Sequence, residues 1–190
     1  MPAGETLHVQ GHDGARRAKI WLEKTGRVEV HFSRYELEEA PFLTFPPLVG
    51  HPYSFDLGGV LRLPSGTASF FGEVKKVSSE AGQGTQYQEY LAKCYRATVQ
   101  SAKPHHFMWI TWHPFSVTTW AQLCTPEQVR AAVTSNKAAY CGEGPVDEET
   151  CSELAKRLWL IVLSDRQETL SMSDEMLGAL KKAVVEGVAR

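Results

Sequence analysis

The chain has 190 residues and a formal net charge of −2, which suits one ordinary α/β domain with a sizeable core and gives no global positive charge to announce a nucleic-acid binder. Charge is uneven: residues 1–113 carry twelve Lys and Arg against eleven Asp and Glu, and residues 114–190 carry eight against eleven, although local patches outweigh such totals. Four cysteines (Cys94, Cys124, Cys141, Cys151) lack CxxC spacing and read as free thiols in a reducing compartment; no run approaches the roughly 18 apolar residues of a membrane span, and the polar opening "MPAGETLHVQGHDG" has no apolar signal-peptide stretch, so a soluble cytoplasmic protein is expected.

In "GARRAKIWLEKTGR", Ala18, Trp21, Leu22 and Thr25 recur at helical spacing, and Gly26 suits a left-handed helix end. "RVEVHF" alternates Val28, Val30 and Phe32 with polar residues, the pattern of a strand. "YELEEAPFLTFPPLVGHP" is rich in proline and reads as an irregular loop. "YSFDLGGVLRL" and "TASFFGEVKKV" are two strands joined by Pro64-Ser65-Gly66, turn chemistry that predicts an antiparallel hairpin.

After a Gly-rich link, Thr85 and Gln88 have capping-box spacing and predict a helix start, with Tyr87, Tyr90, Leu91, Cys94 and Thr98 as its buried stripe. "HHFMWITWHPF" is a strand ended by Pro114. Thr125, Pro126 and Gln128 start a further helix, "EETCSELAKR" a short one, "RLWLIVLS" is a strand, and a last helix follows Ser173 as its cap. The order predicts an α/β fold, a mixed central sheet flanked by helices, with a helix–strand–helix addition at the C-terminal end. No repeat, low-complexity tract or linker divides the chain.

One constellation carries chemistry. Side chains alternate faces along a strand, so Glu73 and Lys75 share a face, and the hairpin lets Asp56 lie beside Glu73. Two converging carboxylates repel unless a cation lies between them, and an oxygen-only donor set favours Mg²⁺ or Mn²⁺. Lys75 then adds a positive charge that orients or helps deprotonate a water, or offsets charge developing on a phosphate. These are the parts phosphodiester hydrolysis needs.

Asp56 followed seventeen residues later by Glu73-Val74-Lys75 resembles the D…(D/E)xK signature of the PD-(D/E)xK, or restriction-endonuclease-like, nuclease superfamily. The element order is similar to that family's α-β-β-β-α-β core, over about residues 13–115, with about 116–190 as a C-terminal extension that matches nothing further. Gln86 with Tyr90 four later is similar to the Gln-x-x-x-Tyr helix of the exonuclease-like branch. The resemblance implies a metal-dependent nuclease acting on nucleic acid, DNA more readily than RNA, in restriction or defence or in repair. Asp56 and Glu73 are then metal ligands, and Asp56, Glu73, Lys75 and Gln86 the catalytic set. The chain departs from the family in having Phe55 where the signature has proline. It also has Gly14-Ala15 where many members carry a first-helix glutamate, with Asp13 and Glu23 the substitutes on offer.

Plainer readings stand beside these. Glu73 and Lys75 are also what a solvated strand face with an ordinary ion pair looks like, and Asp56 also suits a turn before Gly58-Gly59. A nuclease-like module that binds nucleic acid or a partner protein without catalysis is the alternative function. His105 and His113, eight residues apart in one strand, lie roughly 26 Å from each other at strand rise and cannot share an ion. Trp109 and Trp112 read as core, with a base-stacking platform as the alternative. Arg16, Arg17, Lys19, Lys24 and Arg27 read as a solvated helix face, or less readily as a phosphate-contact patch. A homodimer or a larger protein assembly is expected to use the segment from about residue 116.

Overall fold

The computed structural model describes residues 3–36, 39–80, 82–101 and 105–188. Helix α1 (Ala3–Glu23) leads into strand β1 (Val28–Ser33) through Gly26, whose φ of 71° is the left-handed turn the sequence called for. The proline-rich stretch is more ordered than expected. It holds a short 3₁₀ helix (Ala40–Leu43) and the two-residue strand β2 (Thr44–Phe45), which pairs with β3 (Tyr53–Ser54). The ribbon forms because Phe45 stacks on Tyr53 at 5.9 Å and meets Phe55 and Phe71 edge-on. Aromatic packing outweighs the local preference of the prolines for irregular backbone.

The predicted hairpin is present as β4 (Leu57–Leu63) and β5 (Gly66–Lys75), antiparallel and closed at Leu63 opposite Gly66. β1 lies antiparallel on the far side of β4, so close that a side chain at Gly59 would strike the Glu29 carbonyl. Helix α2 (Gln83–Gln100) follows, then β6 (His105–Thr111), parallel to β5. α2 does not begin at the Thr85 capping box. Gly82, at φ 77°, precedes it, and the Gly82 carbonyl accepts the first helical bond from Gln86 at 3.1 Å. A glycine free to take a left-handed conformation sets the start one turn earlier than the side-chain cap would.

The remaining elements are a 3₁₀ segment (Val117–Gln122), α3 (Pro126–Ser135), α4 (Lys137–Tyr140), α5 (Glu148–Ala155), β7 (Leu158–Val162), α6 (Asp165–Glu168) and α7 (Asp174–Val188). The caps at Thr125 and Ser173 are where the sequence placed them, and Asp147 caps α5. β7 is no separate addition. It runs parallel to β6 and completes one five-stranded mixed sheet in the order β1-β4-β5-β6-β7.

Two cores flank this sheet. On one face Phe55, Tyr87, Tyr90, Phe107, Trp109 and Phe115 pack beneath α2, extended by Val129, Val133 and Leu154 from α3 and α5. On the other, Ala15, Ala18 and Leu22 of α1 cover Val28, Leu57, Phe70, Val74, Met108 and Ile110. β6 is buried on both faces, as its neighbours on each side require. The segment from 116 to 163 therefore contributes to the core through Leu123, Val129, Ala132, Val133, Tyr140, Cys151, Leu154 and Leu163, while the larger part of its residues stays partly or fully exposed. Among the described residues, no helix is long and apolar enough to cross a membrane.

Candidate active site

The site lies where β1, β5 and β6 end and β4 begins. The β1–β4 register pairs Ser33 with Leu57, and the β4–β5 register pairs Leu57 with Gly72. One step further, Asp56 stands between Arg34 and Glu73. Backbone bonds carry the ladder that far: Arg34 N–H donates to the Asp56 carbonyl at 3.0 Å, and Asp56 N–H donates to the Gly72 carbonyl at 2.8 Å. Phe55 enters the α2-side core and Leu57 the α1-side core, which anchors the chain on either side of the acid.

Asp56 is 3 % exposed. Its Oδ2 accepts the Val74 N–H at 2.8 Å, and Oδ1 faces an Arg34 guanidinium nitrogen at 3.3 Å. Burial first, and the Glu73 charge second, push the Asp56 carboxyl up to about 7, against the opposing pull of the Val74 N–H, Lys75 and Arg34. Lys75 Nζ donates to Glu73 Oε1 at 2.7 Å and lies 5.7 Å from the centre of the Trp109 ring. Burial works against the Lys75 ammonium, but Glu73 and Asp56 outweigh it and hold Lys75 above its ordinary value. Tyr90 and Cys94 of α2 feel the Glu73 charge, so the Glu73–Lys75 face is the one turned towards α2.

Asp56, Glu73 and Lys75 are thus brought together, and Lys76 points to the opposite face, where it pairs with Asp13. Gln86 is not part of the cluster; it is exposed, with its amide near Gly82. The buried glutamine at this end is Gln83, 1 % exposed. Its Oε1 accepts from Thr111 Oγ1 at 2.7 Å, and its Nε2 donates to the carbonyls of His113 at 3.0 Å and Ser79 at 3.3 Å. Thr111 is the register partner of Lys75, so this network braces the strand end that carries the lysine. The signal was present in the sequence: carrying the Tyr87–Tyr90–Leu91–Cys94 stripe back one turn lands on Gln83, and Gln83 with Tyr87 repeats the Gln-x-x-x-Tyr spacing.

Arg34 and Tyr35 were also missed. Arg34 lies 5.7 Å over the Tyr35 ring, and burial first, then the Asp56 charge, push the Tyr35 phenol up to about 12. The Tyr35 hydroxyl lies against Gly11 of α1, leaving no room there for a side chain. α1 therefore approaches the site through glycine and not through an acid. Asp13 is drawn to Lys76 and Arg16, and Glu23 lies at the far end of the helix.

The histidines, tryptophans and basic run singled out in the sequence resolve as structure. His105 is held between the hydroxyls of Ser69 and Ser101 at 2.6 and 2.7 Å, His106 accepts from Trp159 at 3.0 Å, and His113 lies beyond β6. Trp109 is fully buried. Trp112 is half-buried, with the Arg17 guanidinium 5.5 Å from its ring centre and its Nε1 donating to Glu168 at 2.8 Å. The basic run on α1 is largely matched by acids: Arg16 by Asp13, Arg17 by Asp165 and Glu168, Lys24 by Asp174.

Among the described residues no group of three or more His, Cys, Asp or Glu side chains gathers as a metal site. The donor set that does exist suits a hard cation with few protein ligands. Mg²⁺ characteristically takes one or two carboxylates and fills its remaining positions with water and phosphate oxygens. Burial first and Glu73 second raise the Asp56 carboxyl although Lys75 and Arg34 lie beside the pair, and a divalent ion between the two carboxylates would offset that repulsion. No family model, curated protein or solved structure matches the chain.

Proposed function

We propose that the protein is a metal-dependent nuclease that hydrolyses phosphodiester bonds in nucleic acid, DNA more readily than RNA, with a restriction-endonuclease-like core. The observation that carries this reading is the convergence of Asp56, Glu73 and Lys75 at one sheet edge, with both carboxylates largely buried and the lysine bonded to one of them. The order α1, β1, β4, β5, α2, β6, with the small β2–β3 ribbon inserted, supports the α-β-β-β-α-β core that the sequence resemblance implies.

Asp56 and Glu73 are the residues that would hold Mg²⁺ or Mn²⁺, and the ion would supply Lewis acidity at the phosphate and lower the pKa of a water. The Val74 N–H holds Asp56 Oδ2 and Arg34 faces Oδ1, so an ion at Asp56 would share Oδ1 with Arg34 or displace it. Lys75, retained as an ammonium by its two carboxylate neighbours, orients the attacking water and offsets the charge that builds on the phosphoryl oxygens. Gln83 replaces Gln86 as the assisting glutamine: it positions the β5–β6 end through Thr111. Cleavage of linear and circular DNA with Mg²⁺ or Mn²⁺ tests this directly. Activity in the wild type and its loss in Lys75→Ala are expected; full activity in Lys75→Ala overturns the mechanism.

One observation favours a second reading. Arg34 pairs with Asp56, and Tyr35 fills the side of the site next to α1, so the carboxylates already have a resident cation and lack a helix acid. A non-catalytic nuclease-like module that binds nucleic acid or a partner protein has this composition. Failure of Mg²⁺ and Mn²⁺ to bind the wild type, even with nucleic acid present, would select it.

A further inference from the structure

The two edges of the sheet are built differently. β1 carries a register break between Val30 and Phe32. Glu29 and His31 on the same strand form a charged cluster with Arg62. Bulges and charges of this kind keep an edge strand from pairing with another chain. β7, at the opposite edge, has neither. Its sequence LWLIV contains no charge, proline or glycine, and its register against β6 is unbroken.

The direction of its backbone follows from two hydrogen bonds. Phe107 N–H donates to the Arg157 carbonyl at 2.9 Å, and Leu163 N–H donates to the Thr111 carbonyl at 2.8 Å. In a parallel ladder this parity turns the odd-numbered residues of β7 towards β6. The N–H and C=O groups of Leu158, Leu160 and Val162 then point out of the sheet. Among the described residues, no hydrogen bond reaches them. Every β7 residue is at least partly exposed and Trp159 is 39 % exposed, while residues 107–111 of β6 are buried.

We propose that β7 pairs with β7 of a second copy of this chain, antiparallel about a two-fold axis at Leu160, to form one sheet continuous across a dimer. The strand is self-complementary in that register. Leu160 faces Leu160 of the second copy, Leu158 faces Val162, and every outward backbone group gains a partner. Trp159 faces Ile161 in an apolar cross-strand pair, the kind that stabilises sheets. The charges that flank the strand are already engaged within the chain: Lys156, before it, is bonded to Glu153 at 2.6 Å, and Asp165, after it and next to Arg166, pairs with Arg17. The pairing therefore rests on the backbone groups and apolar side chains of the strand itself. Such a contact is isologous and closes at two copies, so it covers the apolar edge without propagating. It stands independently of the nuclease reading.

Sedimentation or light scattering on the full chain tests the proposal, with Leu160→Pro and Trp159→Lys beside the wild type. Leu160→Pro removes an outward N–H and leaves the N–H groups that face β6, and an edge strand tolerates proline in that position. Trp159→Lys leaves the backbone untouched and keeps the comparison decisive should the proline variant not fold. A wild-type dimer is expected. Leu160→Pro should be monomeric with unchanged circular dichroism, and Trp159→Lys should raise the dimer dissociation constant about 30-fold, the effect of losing one buried aromatic anchor. A monomeric wild type overturns the proposal, whatever else covers the edge, and so does a dimer of unchanged affinity in Trp159→Lys.

Discussion

Replacing Asp56 by asparagine keeps the shape of the side chain and an acceptor for the Val74 N–H, and removes the charge. In the metal-free protein Asp56 is pushed from 3.8 up to about 7 by burial and by Glu73. A carboxyl raised on folding makes the folded state bind the proton more tightly than the unfolded chain. Its cost to stability is absent below the unfolded value, grows as pH rises from about 4 to about 7, and is complete above the folded value. The full shift of about three units corresponds to roughly 4 kcal/mol at 1.36 kcal/mol per unit, and the part falling between pH 5 and pH 8 to about 2–3 kcal/mol. Asp56 is almost fully buried, so little of this is screened away. For a chain of this size 1 kcal/mol moves the melting temperature by about 2–4 °C. In EDTA, the wild type should therefore lose about 5–10 °C more than Asp56→Asn between pH 5 and pH 8. The carboxyls held low by surface partners, such as Asp13 and Asp147, are ionised across that range and cancel in the comparison. Thermal melts of both proteins at several pH values give the answer. Parallel curves would refute the claim that burial and Glu73 together raise the Asp56 carboxyl on folding.

Further expectations concern the rest of the site. Mg²⁺ at about 100 times its dissociation constant should stabilise the wild type by roughly 2.7 kcal/mol at pH 8 and stabilise Asp56→Asn and Glu73→Ala much less, as read by melts with and without the ion. Lys75→Ala should keep that stabilisation and lose about a hundredfold or more in cleavage rate, the scale of removing one group that stabilises transition-state charge. Gln83→Ala should cost about 1–3 kcal/mol in urea titrations, because it strips partners from buried groups, whereas Gln86→Ala on the exposed surface should stay within about 0.5 kcal/mol. Arg17→Ala should expose the α6–α7 segment to limited proteolysis, since Arg17 is the cation that ties α1 to Asp165 and Glu168.

The parts legible in the sequence were those that local periodicity encodes. Alternation set Glu73 and Lys75 on one face and Lys76 on the other, and Pro64-Ser65-Gly66 placed the hairpin that carries Asp56 to Glu73. Thr125 and Ser173 marked helix starts through chemistry contained within one turn. What stayed hidden depends on partners distant in sequence. Arg34 meets Asp56 only through the β1–β4 register, and a two-residue period carries no information about which strand will lie alongside. β7 had a clear strand pattern, but nothing in it announced β6 as its neighbour. Gln83, by contrast, was legible in the stripe carried back one turn from Tyr87, and the capping-box pattern at Thr85 masked it by placing the helix start one turn late. The ribbon of β2 and β3 is held by contacts of Phe45 with Tyr53, Phe55 and Phe71, which no proline count foresees.

The central claim is that Asp56 and Glu73 share one divalent ion. Anomalous diffraction from crystals of the wild type equilibrated with Mn²⁺ near pH 8 addresses it without any assumption about substrate. One manganese peak is expected, in contact with a carboxylate oxygen of Asp56 and one of Glu73, with Lys75 beside it and further positions filled by water. Crystals with no manganese at this edge, and with Arg34 still paired to Asp56, would contradict it.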